Sequence, residues 1–121
     1  MVAVNIRKWE ILPQRVIDRT FGKCIELDGG CIVWPGHVNQ CGYGLIGASV
    51  EGKFYSWLVH KVAYVATHGT EDIALHIDHL CRNRRCVNTE HLEAVTQQEN
   101  NRRTWARMRA ASLEELLSDG H

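Results

Sequence analysis

Long apolar runs are missing from this sequence. No stretch of 18 or more apolar residues occurs, so no membrane-spanning helix is expected. Met1 to Glu10 is charged and lacks the apolar stretch of a secretory signal, which makes the cytoplasm the expected compartment. Proline is scarce, at two in 121 residues, and no biased tract is present, which argues against long disordered segments. Net charge is missing too. The 14 basic and 14 acidic residues balance, so bulk charge gives no sign of a nucleic-acid partner. Gly42, Gly44 and Gly47 make no phosphate loop, because no lysine-serine pair or long helix follows at the required spacing. No proline-cysteine-x2-cysteine run is present, which argues against a zinc deaminase.

What remains is a chain of a length that suits one domain, residues 1–121, with a small core. Its charge is distributed unevenly. Residues 82–110 carry seven arginines against three glutamates, whereas 111–121 carry Glu114, Glu115 and Asp119 and no cation. Arginine is the residue suited to phosphate forks. The plainer reading of such a run is a solvated surface.

Local signals outline an α+β chain. Gln14 to Phe21 reads as a short helix after Pro13. Asp28-Gly29-Gly30 reads as a turn, and Cys31 to Trp34 as a strand stopped by Pro35-Gly36. Tyr43 to Val50 and Lys53 to Trp57 flank a hairpin turn at Glu51-Gly52. Trp57 to Thr67 has helical spacing and stops at Gly69. Ala74 to Leu80 alternates as a strand, with Leu75, Ile77 and His79 on one face and His76, Asp78 and Leu80 on the other. His91 to Val95 is a second short strand. Thr96 to Glu99 has the form of a capping box opening a helix to about Ala111. Ser112 to Glu115 is a second such box, predicting a separate acidic tail helix over 111–121.

Five cysteines in a reducing compartment point to metal binding more than to bridges. Cys81, Cys86 and His91 bracket one arginine-rich loop, and thiolate and imidazole are the preferred zinc ligands. The plain alternative is a pair of buried core thiols, but Arg82, Asn83, Arg84 and Arg85 between them make a poor apolar loop. A fourth ligand must come from Cys31, Cys24, Cys41 or His60. Cys31 is favoured because it begins an apolar strand. Asp78 and His79 divide differently. A carboxylate suits a hard divalent cation, and a neutral histidine suits proton abstraction from water.

Taken together, His60-Lys61-Val62-Ala63-Tyr64, Ile77-Asp78-His79-Leu80-Cys81, Cys86-Val87-Asn88-Thr89-Glu90-His91-Leu92 and Glu99-Asn100 closely resemble the HNH endonucleases common in bacteriophages. Cys31 to Gly36 and Gly42-Tyr43-Gly44 resemble the same family's preamble, so the likeness covers roughly residues 15–103. The cysteine-histidine spacing is also similar to that of the His-Cys box homing endonucleases.

The resemblance implies a small ββα-metal (His-Me finger) domain with an N-terminal hairpin region and a structural zinc, its core at about 74–110. It implies a metal-dependent DNA endonuclease, with a non-catalytic zinc-stabilised DNA-binding module as the alternative. His79 matches the general base. Asp78 and Asn100 match the ligands of a catalytic magnesium or manganese ion. Cys81, Cys86 and His91 match structural zinc ligands, with Cys31 the expected fourth. Asn88 matches a loop asparagine, and His60 a recurrent histidine of structural or substrate-proximal role.

Arg82, Arg84, Arg85, Arg102, Arg103 and Arg107 are the expected contacts to double-stranded DNA, the partner; Arg109 continues the helical series. Such a protein would act in a bacterial or phage-infected cytoplasm. A double-strand cut would need a homodimer or two visits. Two departures stand out: Thr89 replaces the usual proline, and Lys61 replaces a more usual arginine, keeping the charge and losing the fork.

Overall fold

Pro13, at φ −72°, introduces helix α2 (Gln14–Lys23), and a short helix α1 (Ile6–Glu10) precedes it. Its locked φ and missing N–H suit the entry to a helix. This computed structural model describes residues 6–70 and 75–118. In α2, Val16 and Thr20 lie one turn apart on the buried face. The Thr20 hydroxyl donates to the Val16 carbonyl at 2.9 Å, which satisfies it inside the core.

Strand β1 (Ile25–Glu26) pairs antiparallel with β2 (Ile32–Val33). Gly29 and Gly30, at φ 93° and 91°, make the turn between them. The longer hairpin joins β3 (Leu45–Val50) to β4 (Lys53–Leu58). Its two-residue turn puts Glu51 at φ 52° and Gly52 at φ 80°, the signs a type I′ turn needs to match strand twist.

Strand β4 runs straight into helix α3 (Val59–His68). Trp57 and Leu58, expected at the start of that helix, belong to the strand, because the ladder pairs them with Ile46 and Leu45. Gly69, at φ 81°, ends α3 and donates its N–H to the Val65 carbonyl at 2.8 Å.

The site-bearing half is a hairpin and a helix. Strand β5 (His76–His79) pairs antiparallel with β6 (Leu92–Val95), so that Asp78 faces Glu93 and His79 faces Leu92. A 3-10 turn, Thr89–His91, leads into β6. Ala74, expected to begin the strand, lies outside the described residues. The expected alternation is incomplete, since Ile77, Asp78 and His79 are all buried. Asp78 is covered by arginines of helix α4 (Gln97–Ser118) rather than left to solvent.

Helix α4 corrects the expected break after Ala111. It continues without interruption to Ser118. Ala110 and Ala111 favour helix and no glycine or proline intervenes, so Ser112 sits inside the helix rather than capping a new one. At its start the box is half formed. Thr96 Oγ1 accepts the Glu99 N–H at 3.1 Å, while the Glu99 carboxylate turns to Arg102 and Arg103.

The main core joins Trp9, Val16, Trp34, Ile46, Trp57, Val59, Val62, Ala63 and Val87. A second cluster of Tyr64, Ile77 and Leu92 lies beneath the β5–β6 hairpin. The whole is a mixed α/β domain of hairpins and helices, as expected. Gly44 marks where the β3 entry touches this core. A Cβ there would meet Val59 Cγ2 and approach Trp34 Cδ1 to 2.7 Å. Gly44→Ala should therefore destabilise the domain by about 1–3 kcal/mol, the usual range for overpacking. Urea denaturation checks it, and an unchanged midpoint would refute the tight approach.

Candidate metal centre and active-site cleft

The four residues favoured as ligands of a soft cation come from three separate segments. Cys31 follows the β1–β2 turn, Cys81 and Cys86 lie in the loop after β5, and His91 closes the 3-10 turn. One ligand atom from each falls within 4.8 Å of all the others. His91 Nδ1 is 3.6 Å from both Cys31 Sγ and Cys86 Sγ.

Backbone pairing brings these segments together. Val33 bridges to Cys86, Val87 donates to the Ile32 carbonyl at 2.7 Å, and Trp34 donates to the Arg85 carbonyl at 2.9 Å. Asn88 pins the other side. Its Nδ2 donates to the Gly30 carbonyl at 2.6 Å, and its Oδ1 accepts the Glu90 N–H at 3.0 Å. Burial and hydrogen bonds to Cys81 and Cys86 push the Cys31 thiol up to about 12. The Cys31 thiol thus resists becoming a thiolate on its own, and a bound cation would reverse that preference. This Cys3His set can hold a metal ion. The other candidates stand apart from it: Cys24 Sγ donates to the Thr20 carbonyl at 3.0 Å, Cys41 is exposed, and His60 packs against His79.

Beside this centre lies a cleft of about 270 Å³. Strand β5 contributes Asp78 and His79 to its walls, α4 contributes Asn100, Thr104 and Arg107, and the loops contribute Tyr43, Arg82 and Arg84. The His79 ring nitrogen Nε2 is 3.1 Å from the Cys86 carbonyl. A carbonyl only accepts, so Nε2 carries the hydrogen, and the neutral ring keeps its lone pair on Nδ1. Burial pushes the His79 pKa below its usual value of 6.5; the Cys86 carbonyl and Asp78 oppose the shift, and Arg84 adds to it. The imidazole is therefore neutral at pH 7.

Asp78 is ionised. Arg107 grips it with two nitrogens, Nη1 to Oδ1 at 3.1 Å and Nη2 to Oδ2 at 2.9 Å. Arg103 Nη1 adds a contact to Oδ2 at 3.1 Å. The Arg107 pairing, against the opposing effect of burial and with help from Arg103, holds the carboxyl below the usual range.

The six arginines expected to meet DNA fall into different settings. Arg82, Arg84 and Arg107 line the cleft. Arg84 also lies over the Tyr43 ring at 5.3 Å and donates to the Cys41 carbonyl. Arg85 donates from Nε to the Trp34 carbonyl at 3.0 Å and from Nη2 to the Gly36 carbonyl at 3.4 Å. Arg103 is surrounded by Asp78, Glu93 and Glu99. Arg102 pairs with Glu99 on the surface. Sequence reasoning gave Tyr43 no role, although the glycines on either side of it were a signal. It also missed the grip of Arg107 on Asp78, which joins positions 29 residues apart.

Residues 58–102 match a family model described as HNH endonuclease. Among curated proteins, the chain is 36% identical over 86 residues to Protein 7.7 of Escherichia phage T7, covering 71% of this chain and 63% of that protein. It is 35% identical over 78 residues to the gene 5.3 protein of Enterobacteria phage T3, covering 62% of this chain and 77% of that one. The chain thus spans somewhat less than two thirds of Protein 7.7. Among solved structures, a chain from work on DNA binding and cleavage by the HNH homing endonuclease I-HmuI is similar in fold. The TM-score is 0.51 at 22% identity, over 79% of this chain and 58% of that one.

Proposed function

This chain belongs to the HNH endonuclease family, and from that premise we propose that it is a metal-dependent endonuclease acting on double-stranded DNA. The observation that carries the reading is the shared cleft. His79, with Nε2 tied to a backbone carbonyl and Nδ1 unprotonated, lines the same walls as Asp78 and Asn100.

In this reading His79 Nδ1 takes a proton from water as the water oxygen bonds to phosphorus and the opposite phosphorus–oxygen bond breaks. The Asp78 carboxylate and the Asn100 carboxamide are hard oxygen donors, and so few protein ligands suit magnesium or manganese. Arg103 and Arg107 use three of the roughly four lone-pair sites of the Asp78 carboxylate, which leaves one on Oδ1. Held by Asp78 and Asn100, such an ion would supply charge neutralisation at the leaving oxygen. Arg82 and Arg84 offer cations at the cleft for backbone phosphates, contacts that position DNA without reading sequence. Cys31, Cys81, Cys86 and His91 would hold a structural zinc, whose tetrahedral N/S preference they match. The place of action is the bacterial cytoplasm, since DNA is the substrate; among the described residues no helix is long and apolar enough to cross a membrane. A homodimer would serve double-strand cutting.

One observation favours the alternative of a non-catalytic binding module: both Asp78 oxygens already accept guanidinium bonds. A supercoiled-plasmid assay decides between the two. We expect nicking that needs added magnesium or manganese and stops with EDTA. The base works in its neutral form, and burial lowers the pKa of His79. The acid limb of the rate profile should therefore fall below pH 6.5, with full rate retained at pH 7. Retardation of duplex without nicking, under either ion, would replace this reading with the binding module.

A further inference from the structure

His60, the second residue of α3, is 2% exposed, and its Nδ1 is buried without a hydrogen-bond partner among the described residues. Such a nitrogen is a standing penalty in a core. A phenylalanine would fill similar space without it, so packing stability alone does not account for a histidine here. Its surroundings do. The His60 ring centroid lies 4.5 Å from that of His79, with the planes at 51°. Tyr43 closes the triangle at 5.3 Å from His60 and 5.8 Å from His79. The three rings come from three places in the chain: the loop before β3, the first turn of α3 and the end of β5.

Among the described residues, the hydrogen bond from Nε2 to Cys86 anchors one corner of the His79 ring and leaves the ring plane undetermined. Two flanking rings supply the missing restraint. We propose that His60 is a positioning residue for His79: with Tyr43 it fixes the imidazole plane, and its polar edge supports the charge that appears when His79 takes a proton. The proposal rests on reading His79 as the general base. A neutral neighbour is what that charge needs, since a cation in the same place would oppose it. Burial, the neighbouring His79 and Lys61 all push His60 well below its ordinary range, so its ring is neutral.

The test uses the intact, zinc-loaded chain with His60→Phe and His60→Ala. In His60→Phe the flanking ring remains and the unpartnered nitrogen is gone. Its melting temperature should equal or exceed wild type, with zinc content and KM for plasmid unchanged and kcat lowered at least about tenfold. A merely structural residue would not raise stability and lower turnover together. In His60→Ala the restraint itself is lost, and kcat should fall by about a hundredfold.

Long-range proton–nitrogen spectra of His79 give a readout that does not need activity. Wild type and His60→Phe should show one Nε2–H tautomer with sharp cross-peaks, and His60→Ala should show broadened or mixed ones. Cutting by His60→Phe within about twofold of wild type would overturn the role of the polar edge. A wild-type His79 spectrum in His60→Ala would overturn the positioning. If wild type cuts no DNA under any ion, the nuclease reading fails, and the spectra still decide whether His60 holds His79.

Discussion

His79→Ala is expected to slow DNA cleavage by about a hundred- to ten-thousandfold, the range typical of a lost general base. KM should change little if, as proposed, the side chain acts on water rather than on the phosphate backbone. The loss should exceed that of an Arg82 or Arg84 variant, since those two would offer affinity and no proton transfer. The control is structural. His79 is 5% exposed and packs on Tyr43 and His60, so the truncation also removes core contacts. His79→Gln retains more of that volume and should be nearly as slow while melting closer to wild type. Plasmid nicking at fixed magnesium, beside zinc content and thermal melting, separates the two effects. A His79→Ala protein that folds, holds zinc and nicks at the wild-type rate would end the catalytic assignment.

Removing the soft cation should have the largest effect on stability. Structural zinc sites supply on the order of 10 kcal/mol at neutral pH, comparable with the whole stability of a small domain. Here the four candidate ligands join the β1–β2 turn, the loop after β5 and the turn before β6. Without a cation three thiols and one imidazole meet with only a few hydrogen bonds between their segments to hold them. A strong chelator, or Cys86→Ser, should therefore abolish the cooperative melt or lower it by tens of degrees, as followed by circular dichroism. Metal analysis of the untreated protein should find one zinc per chain. Activity should fall with it, because the Cys86 carbonyl that orients His79 belongs to the same loop. Zinc-free protein that melts as untreated protein does would refute the centre.

The features legible beforehand were those written over a few residues. The Glu51-Gly52 turn, the stop of α3 at Gly69 and the Thr96 cap each depend on neighbours within one turn of chain, and each is present. The second capping motif at Ser112 shows the limit of such signals. Its pattern was right for a helix start, but the chain was already helical and nothing stopped it. A cap motif lowers the free energy of beginning a helix and does not terminate one.

Residue order alone placed Asp78 beside His79 and set Cys81, Cys86 and His91 around one loop, because these relations span eleven residues or fewer. Which distant groups came to meet them depended on folding. The choice among upstream cysteines was decided by β2 pairing with residues 85–87, and the fate of each arginine by which carboxylate or carbonyl α4 and the loops brought within reach. Tyr43 and His60 became neighbours of His79 through the β3–β4 hairpin and the first turn of α3. The physical reason is range. Turns, caps and ligand spacing act through adjacent bonds, whereas a cleft is made by desolvated contacts among segments far apart in the chain, whose energies exist only once the core has closed.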